Sequence, residues 1–328
     1  MALSSDEIIK REIIETLGTS VGDLRLRIFP ESSNDDQRLF ADGGLTFSHN
    51  GVDYGSCDAG WFIRQNGESI PFIGLEGTDA LNRGSSGNAQ YQRFHHALGA
   101  VKNGYIGVYY LKKGIDKIQE GLFGMAVSAS QNETGTYLII DDLEDLRPIL
   151  ENYNNPEELQ RQQQIILNRM EEIFLSKFNT QYGGSWEIFS KKRSTIILPD
   201  KIIKYAGRMR RNFTDGSQRA GHIAVGEMYL SKYFFYGKTI YYLMLKMTNE
   251  DISYLDEHKA NDKEWYLLRN EPNVTLKTMD DILGLDQRIK DKLLSIKNDP
   301  LKDEALQIYN ECVKYIDAGL RDRSLTII

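Results

Sequence analysis

A chain of 328 residues that is 41% apolar, 10% aromatic and 27% charged, with only 7 prolines, has the make-up of a folded protein with one or two cores, which excludes a chain dominated by disorder. Its two cysteines, Cys57 and Cys312, are too few and too separated to suggest a disulfide framework or a zinc site, and both are expected to be buried thiols. The N-terminus lacks an apolar stretch of signal-peptide length and no run of about 18 apolar residues occurs, so the expectation is a cytoplasmic protein with no membrane partner.

Charge is unevenly distributed along the chain. The formal net charge is −7, yet residues 191–246 carry twelve Lys/Arg against three acids, a local +9 that leaves −16 elsewhere. Local positive potential, not net charge, is what phosphate binding needs.

In chain order, residues 5–17 predict an amphipathic surface helix, with Ile8, Ile9, Ile13 or Ile14 and Leu17 on one side and Ser4 or Ser5 as N-cap. DLRLRIFPE (23–31) alternates with period two and predicts a half-buried strand ended by Pro30. LTFSHNGVDYG and DAGWFIRQNGESIPFIGLEG each contain an Asn-Gly pair, at 50–51 and 66–67, and both residues of such a pair tolerate the positive φ of a tight hairpin turn. The expectation is a meander of about three strands, a polar helix over 87–103, and a strand at YIGVYYLKK. GLFGMAVSA and GTYLIID (121–141) are expected to extend the same sheet.

From DDLEDLRPILENY the period shifts to 3.6, and Asn155-Pro156 supplies a cap and first turn for a helical arm over 142–184. The basic region 185–248 mixes strand-like STIILP and TIYYLMLKM with a Gly-rich connection. Its aromatics Tyr229, Tyr233, Phe234, Phe235, Tyr236, Tyr241 and Tyr242 are expected to be core. The tail, 249–328, reads as acidic helices.

The chemically informative feature is a pair of acids at strand ends. Asp58 stands at the head of one apolar run and Glu76 at the end of the next, with the Asn66-Gly67 turn between. Neighbouring strands lie roughly 4.8 Å apart, so acids at their ends can face one volume. Their mutual repulsion favours either a raised pKa or a bound cation, and two carboxylates suit a hard one such as Mg²⁺. Asp58 and Glu76 are therefore the candidate metal ligands, with Asp79 a possible outer one.

Over residues 50–112 the sequence resembles the PD-(D/E)XK nuclease superfamily and, within it, the type II restriction endonucleases. Cys57-Asp58 stands where that family has Pro-Asp, Glu76-Gly77-Thr78 where it has (Asp/Glu)-X-Lys, and NAQYQRFHHALGA where a helix follows. The resemblance implies an α/β (α+β) fold: a restriction-endonuclease-like core (1–141) whose central mixed sheet is flanked by helices. It also implies a prokaryotic source, Mg²⁺-dependent hydrolysis of double-stranded DNA, and a homodimer. Thr78 departs from the pattern, since the family uses its lysine to hold and polarise the attacking water. That role would pass to Thr78, Gln90 or Gln92, or to Lys102 arriving from elsewhere. The expected catalytic set is Asp58, Glu76, Thr78 and Gln90.

DNA contacts are expected from two places. One is the glycine-serine loop and following helix, with Arg83, Ser85, Ser86, Asn88 and Arg93. The other is the basic region, where Arg208, Arg210, Arg211, Asn212, Ser217, Gln218 and Arg219 are of the types that read base edges, and Lys191, Lys192 and Lys201 suit phosphates. Of the adjacent His95 and His96, one is expected packed and one exposed; Tyr91 and Phe94 are expected in the core. GVYYL at 107–111 is similar to half of the GIY-YIG nuclease signature, whose second half is missing. The reading is a site-specific, Mg²⁺-dependent deoxyribonuclease. Its alternatives are a DNA-binding protein of the same fold with altered chemistry, and a structure-specific repair nuclease.

Overall fold

The computed structural model describes residues 5–28, 45–79, 88–112, 114, 120–185, 188, 195–197, 201–205, 219–244 and 248–278. The chain divides into two units, Met1–Ser176 and Lys177–Ile328. Among the described residues no helix is long and apolar enough to cross a membrane.

The first unit is built on a six-stranded mixed sheet with order β1-β2-β5-β6-β7-β8, comprising Ser20–Val21, Leu24–Ile28, Ala59–Gln65, Glu68–Thr78, Ile106–Leu111 and Thr136–Ile140. β2, β5 and β6 pair antiparallel, whereas β6, β7 and β8 run parallel. A parallel neighbour cannot be reached by a tight turn, so each of the last two joins needs a crossover. Helix α2 (Asn88–Lys102) provides the first and α3 (Glu120–Asn132) the second. Strand β7 is buried along its whole length, as a parallel strand covered on both faces must be.

GLFGMAVSA is thus helical and does not extend the sheet. Leu122, Phe123, Met125, Ala126, Val127 and Ala129 of α3 are all buried, so the helix shows no polar stripe. With every side covered, its sequence carries no 3.6 period to tell it from a buried strand.

The hairpin β3–β4 (Thr46–His49 and Val52–Ser56) also departs from the expected meander. It forms a separate two-stranded sheet and packs against α2. Both Asn-Gly turns do form as the sequence predicts, with φ of +52° and +78° at Asn50 and Gly51 and +52° and +86° at Asn66 and Gly67.

Two helices cover opposite faces of the sheet, and alternate residues of β6 tell them apart. A side chain at Gly77 would run into Ile9 of α1 (Ser5–Leu17), at 2.4 Å. One at Gly74 would meet Ala100 of α2 at 3.0 Å and Phe47 of the hairpin at 2.7 Å. With period two, Glu76 and Thr78 fall on the α2 face. Beyond β8 the chain forms a 3₁₀ turn (Leu143–Leu146), α4 (Arg147–Glu151) and α5 (Pro156–Tyr182), whose first turn Asn155 caps. Met170 and Gln163 of α5 take hydrogen bonds from Ile139 N–H and Thr136 Oγ1, which covers the open edge of β8.

The second unit holds a four-stranded sheet with order β12-β11-β10-β9, namely Val274–Thr278, Thr239–Met244, Lys201–Tyr205 and Thr195–Ile197. The last three strands in sequence are parallel, joined by α6 (Arg219–Phe234) and then by α7 (Asn249–His258) and α8 (Lys263–Asn270). Thr248 and Asp251 close a capping box on α7. Val274–Thr278 is a strand in the tail that reads as helical, and VTLKT is too short to show a period of its own. Tyr229, Phe235 and Tyr242 are buried as expected, but Tyr236 is 79% exposed.

Candidate active site

The register of β5 and β6 pairs Gly60 with Gly74 and Ala59 with Leu75. Carried one residue further, it sets Asp58 opposite Glu76, where Cβ atoms lie roughly 5 Å apart in a regular sheet. On the other side of β6, Glu76 is in register with Tyr109 of β7. Asp58, Glu76 and Tyr109 therefore stand in a row across three strands on one face.

Local bonding fixes both acids. Asp58 is buried and its Oδ2 accepts the Gly77 N–H at 2.9 Å, tying the first acid to the backbone beside the second. Glu76 is 1% exposed, and both its oxygens are engaged from α2. Arg93 Nη1 donates to Oε1 at 2.7 Å and to the Gly77 carbonyl at 3.1 Å; His96 Nδ1 lies 3.0 Å from Oε2. Positions 93 and 96 are one helical turn apart, so α2 turns both side chains to the sheet.

The field of the two carboxylates is visible in their neighbours. Burial alone would lower the affinity of Arg93 for its proton, but Glu76 and then Asp58 outweigh it, and the guanidinium is held more firmly charged than usual. Burial, then Glu76 and Asp58, push the Cys57 thiol well up. Burial, followed by Glu76, raises Tyr109 as well. Its hydroxyl keeps its proton throughout the neutral range, yet has no hydrogen-bond partner among the described residues. A buried, unpaired donor next to two carboxylates is a place where a ligand oxygen would be welcome.

Of the residues expected from sequence, Asp58, Glu76 and Arg93 come together here. Thr78 is buried on the same face of β6, and Gln90 is buried on α2 one turn before Arg93. Asp79 is buried just beyond β6. Lys102 is corrected: it does not replace the motif lysine, because it is bound to both oxygens of Glu133 at 2.9 and 3.0 Å. Cys57, Tyr91 and Phe94 are buried as expected.

Arg83, Ser85, Ser86, Lys191, Lys192, Arg208, Arg210, Arg211, Asn212, Ser217, Gln218 and Cys312 lie outside the described residues. Asn88, Lys201 and Arg219 are placed by backbone alone, in α2, β10 and α6. Lys232, one of the twelve cations of the basic stretch, is buried in an ion pair with Glu271.

Sequence reasoning passes over Tyr109, and it weighs a general-base or metal role for His95 and His96 without adopting it. The histidine doublet predicts one packed ring and one exposed; in the structure His95 is the buried one, and the more open His96 is the Glu76 partner. Nothing in the sequence signals Tyr109, whose role rests on which residue of β7 pairs with Glu76.

The donors fit a hard divalent cation in kind, being two carboxylates at adjacent strand ends. Among the described residues no group of three or more His, Cys, Asp or Glu is arranged to hold a metal ion. Mg²⁺ is commonly bound through one or two carboxylates with waters and substrate phosphates completing its shell, so a pair of acids suffices for it. Compared with known proteins, the chain matches no family model, no curated protein and no solved structure.

Proposed function

We propose that the protein is a Mg²⁺-dependent endodeoxyribonuclease with a restriction-endonuclease-like core, cutting double-stranded DNA as a type II enzyme does. The carrying observation is the register that sets Asp58 opposite Glu76 on the α2 face, with Arg93 binding both Glu76 and the Gly77 carbonyl. Asp58 and Glu76 would hold the cation. Bound there, it supplies a nucleophile from water near neutral pH and neutralises charge on the phosphate.

The chain's own residues prepare that volume. Gly77 N–H fixes the Asp58 carboxylate, and His96 fixes one oxygen of Glu76. Arg93 brings a permanent positive charge to Glu76 and the Gly77 carbonyl, and Tyr109 remains a protonated donor on the same face. Burial of Glu76 and Tyr109 excludes bulk water from the inner side, which strengthens each charge interaction. Two copies related by a two-fold axis would match a two-fold DNA site.

The test is incubation of the purified full chain with plasmid DNA and Mg²⁺, beside Asp58→Asn and Glu76→Gln. Discrete bands are expected from the wild type, and a rate at least about a hundredfold lower from either variant, since the metal contributes several kcal/mol to the barrier. Equal cleavage by wild type and variants refutes the reading.

Thr78 at the lysine position and the full engagement of Glu76 favour a second reading, a DNA-binding protein of the same fold without hydrolysis. It predicts retarded but intact plasmid at every Mg²⁺ concentration. Laddering confined to branched or mismatched DNA would instead mark a repair nuclease.

A further inference from the structure

Glu76 is an unusual buried acid, because its side chain is 2% exposed while its two partners, Arg93 and His96, are 31% and 29% exposed. A carboxylate so deeply covered is stabilised by a counter-charge beside it. Both Glu76 oxygens are already taken, Oε1 by Arg93 and Oε2 by His96, so a divalent cation that binds this carboxylate must displace one of the two partners. His96 is the less able of the two partners to move. Its ring lies against the Gly55 backbone, where even a methyl group would come within 2.5 Å of Cδ2. Arg93 reaches from α2 with a long side chain already near solvent.

We infer that Arg93 is the exchangeable counter-ion of Glu76: it neutralises the carboxylate in the cation-free site and passes to a phosphate oxygen of DNA when the cation arrives, so that cation and DNA bind this face cooperatively. The inference rests on the nuclease reading and adds to it a positioning residue and a coupling. Guanidinium is suited to the transfer, because its planar fork matches phosphate as well as carboxylate. Mg²⁺ is suited too, because it draws part of its shell from substrate phosphate. The Tyr109 hydroxyl, unpartnered among the described residues, marks the same volume as short of an oxygen acceptor. Coupling of this kind is reciprocal: whatever factor DNA adds to cation affinity, the cation adds to DNA affinity.

The experiment is a titration of the full chain with Mn²⁺, followed by the metal's paramagnetic resonance signal, with and without a mixed-sequence DNA duplex and with the DNA-only blank subtracted. Wild type should bind Mn²⁺ about tenfold more tightly with DNA than without, and Arg93→Met should bind about tenfold more tightly than wild type without DNA and gain less than about twofold from it. Arg93→Lys keeps the charge and the fold but gives up the fork, so its affinity without DNA should rise about threefold. It carries the test if Arg93→Met does not fold. Arg93 variants with wild-type Mn²⁺ affinity and wild-type coupling would overturn the inference.

Asp58→Asn and Glu76→Gln separate its failure from that of the nuclease reading. If both abolish Mn²⁺ binding while the Arg93 variants change nothing, only the exchange is wrong. If neither variant affects Mn²⁺ binding, or if wild type binds none, the nuclease reading falls and the exchange with it.

Discussion

Two buried glutamates, one in each unit, show what distinguishes a structural ion pair from an exchangeable one. Glu271 in the second unit pairs with Lys232, and the side chains are 3% and 9% exposed, so the pair is shut on both sides. Glu76 in the first unit is as deeply buried, but its partners Arg93 and His96 are 31% and 29% exposed. Lys102 and Glu133, at 8% and 10%, follow the closed pattern within the first unit itself. A closed pair loses most when either partner is removed, since the survivor is stranded away from water. An open pair can trade its cation for another ligand.

Breaking the closed pair is the largest stability effect expected. Glu271→Ala should cost about 3–5 kcal/mol in a denaturant titration, because it strands the Lys232 charge. Glu76→Gln should cost less, since Arg93 and His96 reach water when released. A larger loss at Glu76 than at Glu271 would erase the distinction.

Next in size are the close approaches that hold the site's walls. Gly107→Ala would press a methyl group to 2.3 Å from the Ala97 carbonyl, forcing α2 off β7, and should destabilise by about 1–3 kcal/mol. Because α2 carries Arg93 and His96, Mn²⁺ binding should weaken with it. Gly67→Ala, in a turn with nothing within 4 Å, should leave Mn²⁺ binding intact and cost only the strain of its φ of +86°.

Alkaline pH should loosen the first unit. Cys57, Tyr109 and Tyr137 all have folded values raised, by burial first. Such groups hold their protons in the folded chain after the unfolded chain has lost them. Their contribution is complete below about pH 8.5, the ordinary thiol value, and is lost as pH climbs toward the raised folded values. Melting temperature should therefore fall above about pH 8.5, and less steeply in Tyr109→Phe. A flat profile to pH 10 would contradict the assignment.

The smallest effect is expected for Tyr109→Phe itself at neutral pH. It removes a hydroxyl that has no partner among the described residues, so stability should change by less than about 0.5 kcal/mol or improve. A loss well beyond that would show that the hydroxyl is engaged in the free protein.

Much of this arrangement is legible in the order of the amino acids. The Asn-Gly pairs announce two turns, Pro156 announces the start of α5, and the acids at 58 and 76 are marked by where their apolar runs begin and end. What local pattern cannot convey is pairing. The row Asp58, Glu76, Tyr109 depends on the register of three strands, one of them reached only through a crossover helix. Nor can pattern reveal α3, because a helix covered on all sides has lost its polar stripe. His96 is intermediate: the doublet predicts an open ring, but not that the ring meets Glu76.

The central claim is that Asp58 and Glu76 share one divalent cation. Anomalous diffraction from crystals soaked in Mn²⁺ tests it most directly. A single anomalous peak within bonding distance of both carboxylates, with Arg93 withdrawn from Glu76, is the predicted result. Arg93 still seated on Glu76, and no peak beside Asp58 at saturating Mn²⁺, would contradict it.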